Sequence, residues 1–217
     1  MRTFGFPEFL FILEAAKWTL ALSAIAFVGG AILGLAIALM RTSESAWARG
    51  VSTTFIQIFQ GTPLLLQLFL VFFGAPVLGL DINPWVAAGV ALILNSAAFF
   101  GEIWRGCIEA IPRGQWEAAQ ALNLKYAARM RDVVLPQALK IALAPTVGYV
   151  VQIIKGTSLA AIIGFVEVTR AGQVVNNATF QPLVVFSVVA AIYFAICWPL
   201  SLLAARMERR RARALAR

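Results

Sequence analysis

From Trp18 to Met40 the sequence carries no ionisable side chain. A helix that crosses the hydrocarbon core of a bilayer needs roughly 20 mostly apolar residues. In lipid the backbone polar groups must be satisfied within the element, which an α-helix achieves. Four later segments are also long and mostly apolar, at about Thr53–Phe73, Pro84–Ile103, Pro136–Gly164 and Pro182–Ala204. The expected fold is all-α and integral to a membrane, with five transmembrane helices in a single domain over residues 1–217. Composition agrees, with 61% hydrophobic and 13% charged residues, where soluble domains lie near about 45–50% and about 25%. No segment reads as a flexible linker, and no internal repeat is visible.

Basic residues set the orientation. Arg41 and Arg49 follow the first run. Arg105, Arg113, Lys125, Arg129, Arg131 and Lys140 cluster around the connection from third to fourth, and an arginine-rich tail begins at Arg206. With five spans these fall on one side, and only Arg2, Lys17 and Arg170 fall on the other. The N-terminus is therefore expected outside and the C-terminus in the cytoplasm. The formal net charge of +8 is explained by this asymmetry and the anionic inner leaflet, at about 1 kcal/mol per Lys or Arg, with membrane lipid as the partner and not nucleic acid. The opening "MRTFGFPEFLFILEAAKW" lacks a signal-peptide layout and is expected at the membrane surface. Gly30 and Gly34 let another helix approach closely. That helix belongs either to this chain or to a second membrane subunit.

The residue inventory narrows the chemistry. There is no His, which removes the usual general base and the commonest neutral metal ligand. Cys107 and Cys197 fit no metal spacing and read as small apolar residues. Without a His or a GxSG motif, an intramembrane serine protease is excluded. No GxxxxGK[ST] phosphate loop is present, so the chain is not itself an ATPase, no cofactor is expected in it, and no catalytic residue is assigned.

One stretch breaks the apolar pattern: "RGQWEAAQALNLKYAARMRDVVLPQAL", Arg113 to Leu139. Ile111-Pro112-Arg113-Gly114 ends the third helix. A short helix is expected from about Gln115, with Glu117 in its first turn, where a carboxylate suits the helix dipole. Ala118, Ala119 and Leu122 give it one apolar face. Asn123 ends it, because Asn readily takes the left-handed conformation at a helix C-terminus. A second amphipathic piece follows from Lys125 to about Val134, and Pro136 suits the first turn of the fourth span. Two short helices at an angle cannot span. Their apolar face rests either on lipid headgroups or on a protein partner.

"EAAQALNLKYAARMRDVVLPQALKIALAP" closely resembles the EAA loop of bacterial ABC importer permeases. The matching positions are Glu117, Ala118, Ala119, Val133, Leu135 and Pro136, with Asn123 standing where that family has Gly. "FQGTPLLLQLFLVFF", "GEIWRGCIEAIPRGQWEAA" and "KGTSLAAIIGFVEVTRAG" are similar to its polar amino-acid branch, the histidine, glutamine and arginine type. In that branch Arg usually stands at Gln60 and often Asp at Gly156. The resemblance covers about residues 18–210.

It implies the permease subunit of an ATP-driven amino-acid importer in the bacterial cytoplasmic membrane, working by alternating access. Loop 113–135 would then be the coupling helix, with Glu117, Ala118, Ala119, Leu122, Asn123 and Lys125 meeting a cytoplasmic ATP-binding subunit. The implied partners are a dimer of that subunit, which binds the ATP and Mg, a second permease subunit (a copy or a paralogue), and an extracytoplasmic amino-acid-binding protein. Two alternatives remain: a permease for another small solute such as methionine or an osmoprotectant, or a non-transporting membrane scaffold.

Polar residues within the spans are functional candidates by default. Thr62, Gln67, Ser96, Lys155, Thr157 and Ser158 are the candidates for the substrate pathway, with Asn95 weaker. Lys155 either meets a substrate carboxylate or pairs with a carboxylate of the protein. Pro63, in Gly61-Thr62-Pro63, is expected to break the second span, and Pro136 to start the fourth. Glu102, Arg105, Glu109 and Arg113 form a ladder at helical spacing, with Glu102 and Arg105 read as structural.

Overall fold

The computed structural model describes residues 3–215. Helix α1 runs Phe6–Arg41, α2 Ala46–Gly61, α3 Leu64–Val77, α4 Pro84–Glu109 and α5 Arg113–Ala121. The short α6, Tyr126–Ala128, passes through a π-helical turn, Arg129–Val134, into α7, Leu135–Gly156. A 3₁₀ segment, Thr157–Ile163, continues it, and α8 (Val168–Thr179) and α9 (Pro182–Leu215) follow. No strand occurs among the described residues. Four helical stretches are long and apolar enough to cross a membrane: Phe6–Arg41, Pro84–Glu109, Tyr126–Ile163 and Pro182–Arg210. A fifth crossing is available if α2 and α3, bent by 101° at their junction, count as one broken span.

The sequence boundaries shift in four places. Helix α1 starts at Phe6, well before Trp18, so the opening residues extend the first span instead of forming a separate surface piece. Pro7 sits in its first turn, where a missing N–H is no loss. The second span is two helices at a sharp angle. The cytoplasmic helix begins at Arg113, and Glu117 lies beyond its first turn, which holds no acid. The second amphipathic piece is not a separate helix at an angle, because it runs unbroken into α7. Pro136 lies in the first turn of α7, as expected, just after the π-turn. A proline clashes with the carbonyl four residues back and gives it no hydrogen bond. The wider π-turn over 129–134 accommodates that loss.

Helix α4 is the axis of the fold. Against it, α1 runs parallel: Ile25 lies near Gly89, Gly29 near Ile93, Gly30 near Ser96 and Gly34 near Phe100. A Cβ at Gly30 would lie 2.5 Å from that of Ser96, and one at Gly34 2.7 Å from that of Phe100. Gly101 reciprocates, its backbone against Ile37. The close-approach glycines thus serve packing inside this chain. Helix α7 runs antiparallel to α4, tied by the Trp104 Nε1–H donating to Thr146 Oγ1 at 2.9 Å and by stacking of Phe99 on Tyr149. Helix α9 packs on α7 through Cys197, Val151 and Ile154. Both cysteines are buried.

Candidate functional site

The junction of α2 and α3 organises a polar wall inside an apolar bundle. Pro63 has no N–H for the carbonyl of Phe59 four residues back. Gln67, 5% exposed, replaces it: its Nε2 donates to Phe59 O at 2.8 Å, to Thr62 O at 3.0 Å and to Thr62 Oγ1 at 2.9 Å. The Thr62 hydroxyl itself donates to Ile58 O. From α4, the Asn95 Nδ2 donates to Gln67 Oε1 at 3.1 Å and reaches Phe59 O at 3.4 Å. From α7, the Tyr149 hydroxyl donates to Asn95 Oδ1 at 3.3 Å. Three side chains, Gln67, Thr62 and Asn95, thereby satisfy carbonyls at the break, and Tyr149 holds Asn95 in place, as a broken helix at membrane depth requires.

A cavity of about 430 Å³ opens in front of this wall, lined by Phe59, Gln60, Thr62, Leu64, Asn95, Phe99, Tyr149 and Gln152. Gln60 donates from Nε2 to Ala98 O at 3.2 Å, which leaves its Oε1 unengaged. Gln152, exposed on the α7 side, makes no hydrogen bond among the described residues.

The sequence candidates divide on this geometry. Thr62 lines the cavity. Gln67 lies behind it and is committed to the break, and Pro63 causes that break. Ser96 does not line the cavity; it is buried with its Cβ against Gly30 and its hydroxyl hydrogen-bonded to Tyr149. Thr157 is fully buried and its hydroxyl donates to Ile154 O at 2.7 Å. The Ser158 hydroxyl likewise donates to Lys155 O. Lys155 points along the other flank of α7, toward α9. It lines one shallow cavity with Ser158, Thr169, Val189 and Tyr193, and it has no salt-bridge partner among the described residues.

Glu102 and Arg105 pair as expected, with Arg105 Nε donating to Glu102 Oε2 at 2.9 Å and a second contact reaching Glu109. Arg113 stands apart from that ladder. Gly156 lies beside Leu64, whose Cδ2 would be 3.2 Å from a Cβ there.

Sequence reading missed Tyr149, Gln152 and Gln60 as wall residues. The visible signal was a tyrosine and a glutamine at helical spacing in an otherwise apolar helix. It also missed Glu167, a fully buried carboxylate. Glu167 caps α8, accepting from the Thr169 and Arg170 amides at 2.9 and 2.8 Å and from the Tyr193 hydroxyl at 2.5 Å. Burial pushes its carboxyl above the ordinary carboxylate range, opposed by those hydrogen bonds.

Beyond the C-terminal end of α4, α5 stands out from the bundle. Ala119 is 3% exposed and Trp116 half-buried, so they face this chain, whereas Glu117, Ala118 and Leu122 are exposed, Leu122 by 76%. The expected apolar face is therefore split, and Ala119 anchors the helix instead of presenting it. Lys125 is exposed. Asn123 has φ of 55°, the left-handed turn expected of it. Beyond that turn, the Tyr126 hydroxyl donates to Thr42 O at 2.8 Å, and Arg129 lies 3.9 Å from Glu44. The arm is thus fastened to the α1–α2 turn.

Residues 19–213 match the family described as the binding-protein-dependent transport system inner membrane component. The chain belongs to that family. As a member, it is a component of the bacterial inner membrane. It is 37% identical over 206 residues to the glutamine transport system permease protein GlnP of Escherichia coli strain K12, covering 94% of each chain. It is 35% identical over 190 residues to a probable amino-acid ABC transporter permease protein, YckA, of Bacillus subtilis strain 168, covering 88% of this chain and 84% of that one. Among solved structures, a crystal structure of an amino acid ABC transporter with histidines superposes with a TM-score of 0.87 at 33% identity, covering 96% of this chain and 100% of the other. An inward-facing MetNI methionine ABC transporter shares the fold, with a TM-score of 0.79 at 18% identity.

Proposed function

We propose that this chain is the permease subunit of an ATP-driven amino-acid importer, that the cavity before the α2–α3 break is its substrate pathway, and that α5 receives the stroke of a separate ATPase. The observation that carries the reading is the broken span itself. A helix interrupted at membrane depth, with its freed carbonyls tied up by Gln67 and Asn95, is the device by which transporters bring backbone and polar groups to a substrate. The start of α3 borders the cavity, and Pro63 offers it no side-chain cap. Its first amides are thus available to a substrate carboxylate.

Topology follows from two contacts. Tyr126 touches Thr42, so those residues share a side of the membrane and an even number of crossings separates them. The parallel register of α1 and α4 supports a crossing by the α2–α3 pair between them. Both features support five crossings, and the basic residues favour the N-terminus outside. On that orientation α5 is cytoplasmic, and its exposed Glu117, Ala118, Leu122 and Lys125 form the surface offered to the ATP-binding subunit dimer, which holds the ATP and Mg. A second permease subunit, a copy or a paralogue, closes the pathway, and an extracytoplasmic binding protein delivers substrate.

Uptake of labelled amino acid by vesicles containing the complex, with ATP inside the ATPase-facing compartment, tests the function. Uptake that requires ATP supports it; a complex that moves no amino acid overturns it. A cysteine at Gln120 should react only from the cytoplasm and one at Asp81 only from outside. The reverse pattern would overturn the orientation.

A further inference from the structure

The wall before the α2–α3 break is rich in hydrogen-bonding groups yet has no formal charge. Its lining consists of Gln60, Thr62, Asn95, Tyr149 and Gln152 among aromatic and aliphatic side chains. Two tiers can be distinguished. Thr62, Asn95 and Tyr149, with Gln67 behind them, use their groups on one another and on the freed carbonyls, and they form a fixed floor. Gln60 and Gln152 flank it, Gln60 with its Oε1 unengaged while its Nε2 is bonded to Ala98 O, and Gln152 with its whole amide unengaged among the described residues. An amide offers a donor and an acceptor side by side, which complements another amide or a hydroxyl. A guanidinium, ammonium or second carboxylate would sit at membrane depth with no counter-charge, which is unfavourable. The nearest cation on α7, Lys155, lies on the flank that faces α9.

We infer that the cavity selects amino acids whose side chain is uncharged and hydrogen-bonding, an amide or a hydroxyl, and that Gln60 and Gln152 set this preference. The inference rests on the reading of this cavity as the substrate pathway. A site built to hydrogen-bond a polar group discriminates strongly against a substrate that leaves those groups unmatched.

The test is equilibrium binding of radiolabelled glutamine, serine, arginine and glutamate to the complex that co-purifies with the tagged chain, held in lipid nanodiscs. Glutamine and serine should bind at least about tenfold more tightly than arginine and glutamate. Gln152→Glu places a carboxylate on the wall and should raise the arginine-to-glutamine affinity ratio by about tenfold or more. Gln60→Glu is a second route should the first variant not assemble. Wild-type binding of arginine or glutamate as tight as that of glutamine overturns the inference while leaving the transport reading intact. So does an affinity ratio that neither variant moves. A complex that binds none of the four overturns the pathway assignment itself.

Discussion

Helix α4 has two unlike sides. Toward α1 it meets a seam of Gly30, Gly34, Ala97 and Gly101, where backbones approach so closely that no side chain fits between them. Toward α2, α3 and α7 it carries Asn95, whose amide and carbonyl are bonded to two other helices. The seam has no free volume and little chemistry. The wall has cavity volume and unengaged amide groups in Gln152 and at Gln60 Oε1. A transporter must hold one pair of helices fixed while substrate passes between others. Here the division is made across a single helix, by glycine on one side and side-chain amides on the other.

The largest test of this contrast is on the seam. Gly34→Leu should abolish the folded chain, since even the Cβ would lie 2.7 Å from that of Phe100 and 3.1 Å from the Ala97 carbonyl. Overpacking of this kind costs about 3 kcal/mol or more where backbone must move. Gly106→Ala and Gly61→Ala, where a Cβ meets nothing within 4 Å, should leave thermal unfolding in detergent unchanged to first order. Equal behaviour of the three would mean that the seam is not rigid.

Second comes the wall. Asn95→Leu removes the donor to Gln67 Oε1 and the acceptor for Tyr149, leaving buried groups unpaired at about 1–3 kcal/mol. The chain should still be recovered, less stable, with uptake reduced about tenfold or more. Ser96→Ala, one residue along with its Cβ against α1, removes only a hydrogen bond to Tyr149 and should alter uptake less. If Ser96→Ala proved the more damaging to transport, the two-sided view of α4 would be wrong.

Much of this was legible in the sequence, for identifiable reasons. Apolar length gave the spans, because lipid allows few other structures. Gly30 and Gly34 announced a close approach, and Asn123 its left-handed turn. What escaped was whatever depends on rotation about a helix axis. Ser96 and Asn95 are adjacent, yet Ser96 sets its Cβ against the seam and only its hydroxyl reaches Tyr149, whereas Asn95 is bonded to both neighbouring helices of the wall. Lys155 and Gln152 share a turn of α7 but line different cavities. Thr157 looked like a ligand and is a buried hydroxyl bonded to its own helix. Polarity in a span shows that a partner exists, and only the three-dimensional register shows which one.

Third, the arm outside the bundle repeats the division on a small scale, with Ala119 inward and Glu117, Ala118 and Leu122 outward. On the proposed coupling role, Glu117→Lys or Leu122→Glu should leave the fold and its unfolding temperature unaltered. Each should weaken assembly with the ATPase or uncouple hydrolysis from uptake. Normal assembly, hydrolysis and transport in both variants would remove the coupling assignment. Ala119→Glu should instead destabilise the chain itself, because that side chain is buried.

The smallest effect concerns the turn that joins this arm to the rest. Asn123 sits at φ of 55°, one of two non-glycine residues with positive φ among those described, and it follows Leu122, the C-cap of α5. Its amide N–H donates to Gln120 O at 2.8 Å, while that of Leu124 reaches Ala119 O at 3.2 Å. These bonds close the helix only if Asn123 stays left-handed. A β-branched residue resists that conformation by about 1–2 kcal/mol, so Asn123→Val should loosen α5 and lower ATPase-coupled uptake without unfolding the spans. Asn123→Gly adopts the same φ without strain and should behave as the parent chain does. The arm beyond the turn is held by Tyr126 on Thr42, so misdirection should be confined to α5. Faster amide hydrogen exchange over residues 113–124 in the valine variant alone would locate the effect at the turn. The same exchange pattern in both variants would show that Tyr126 and Trp116, and not the backbone at Asn123, fix the direction of the arm.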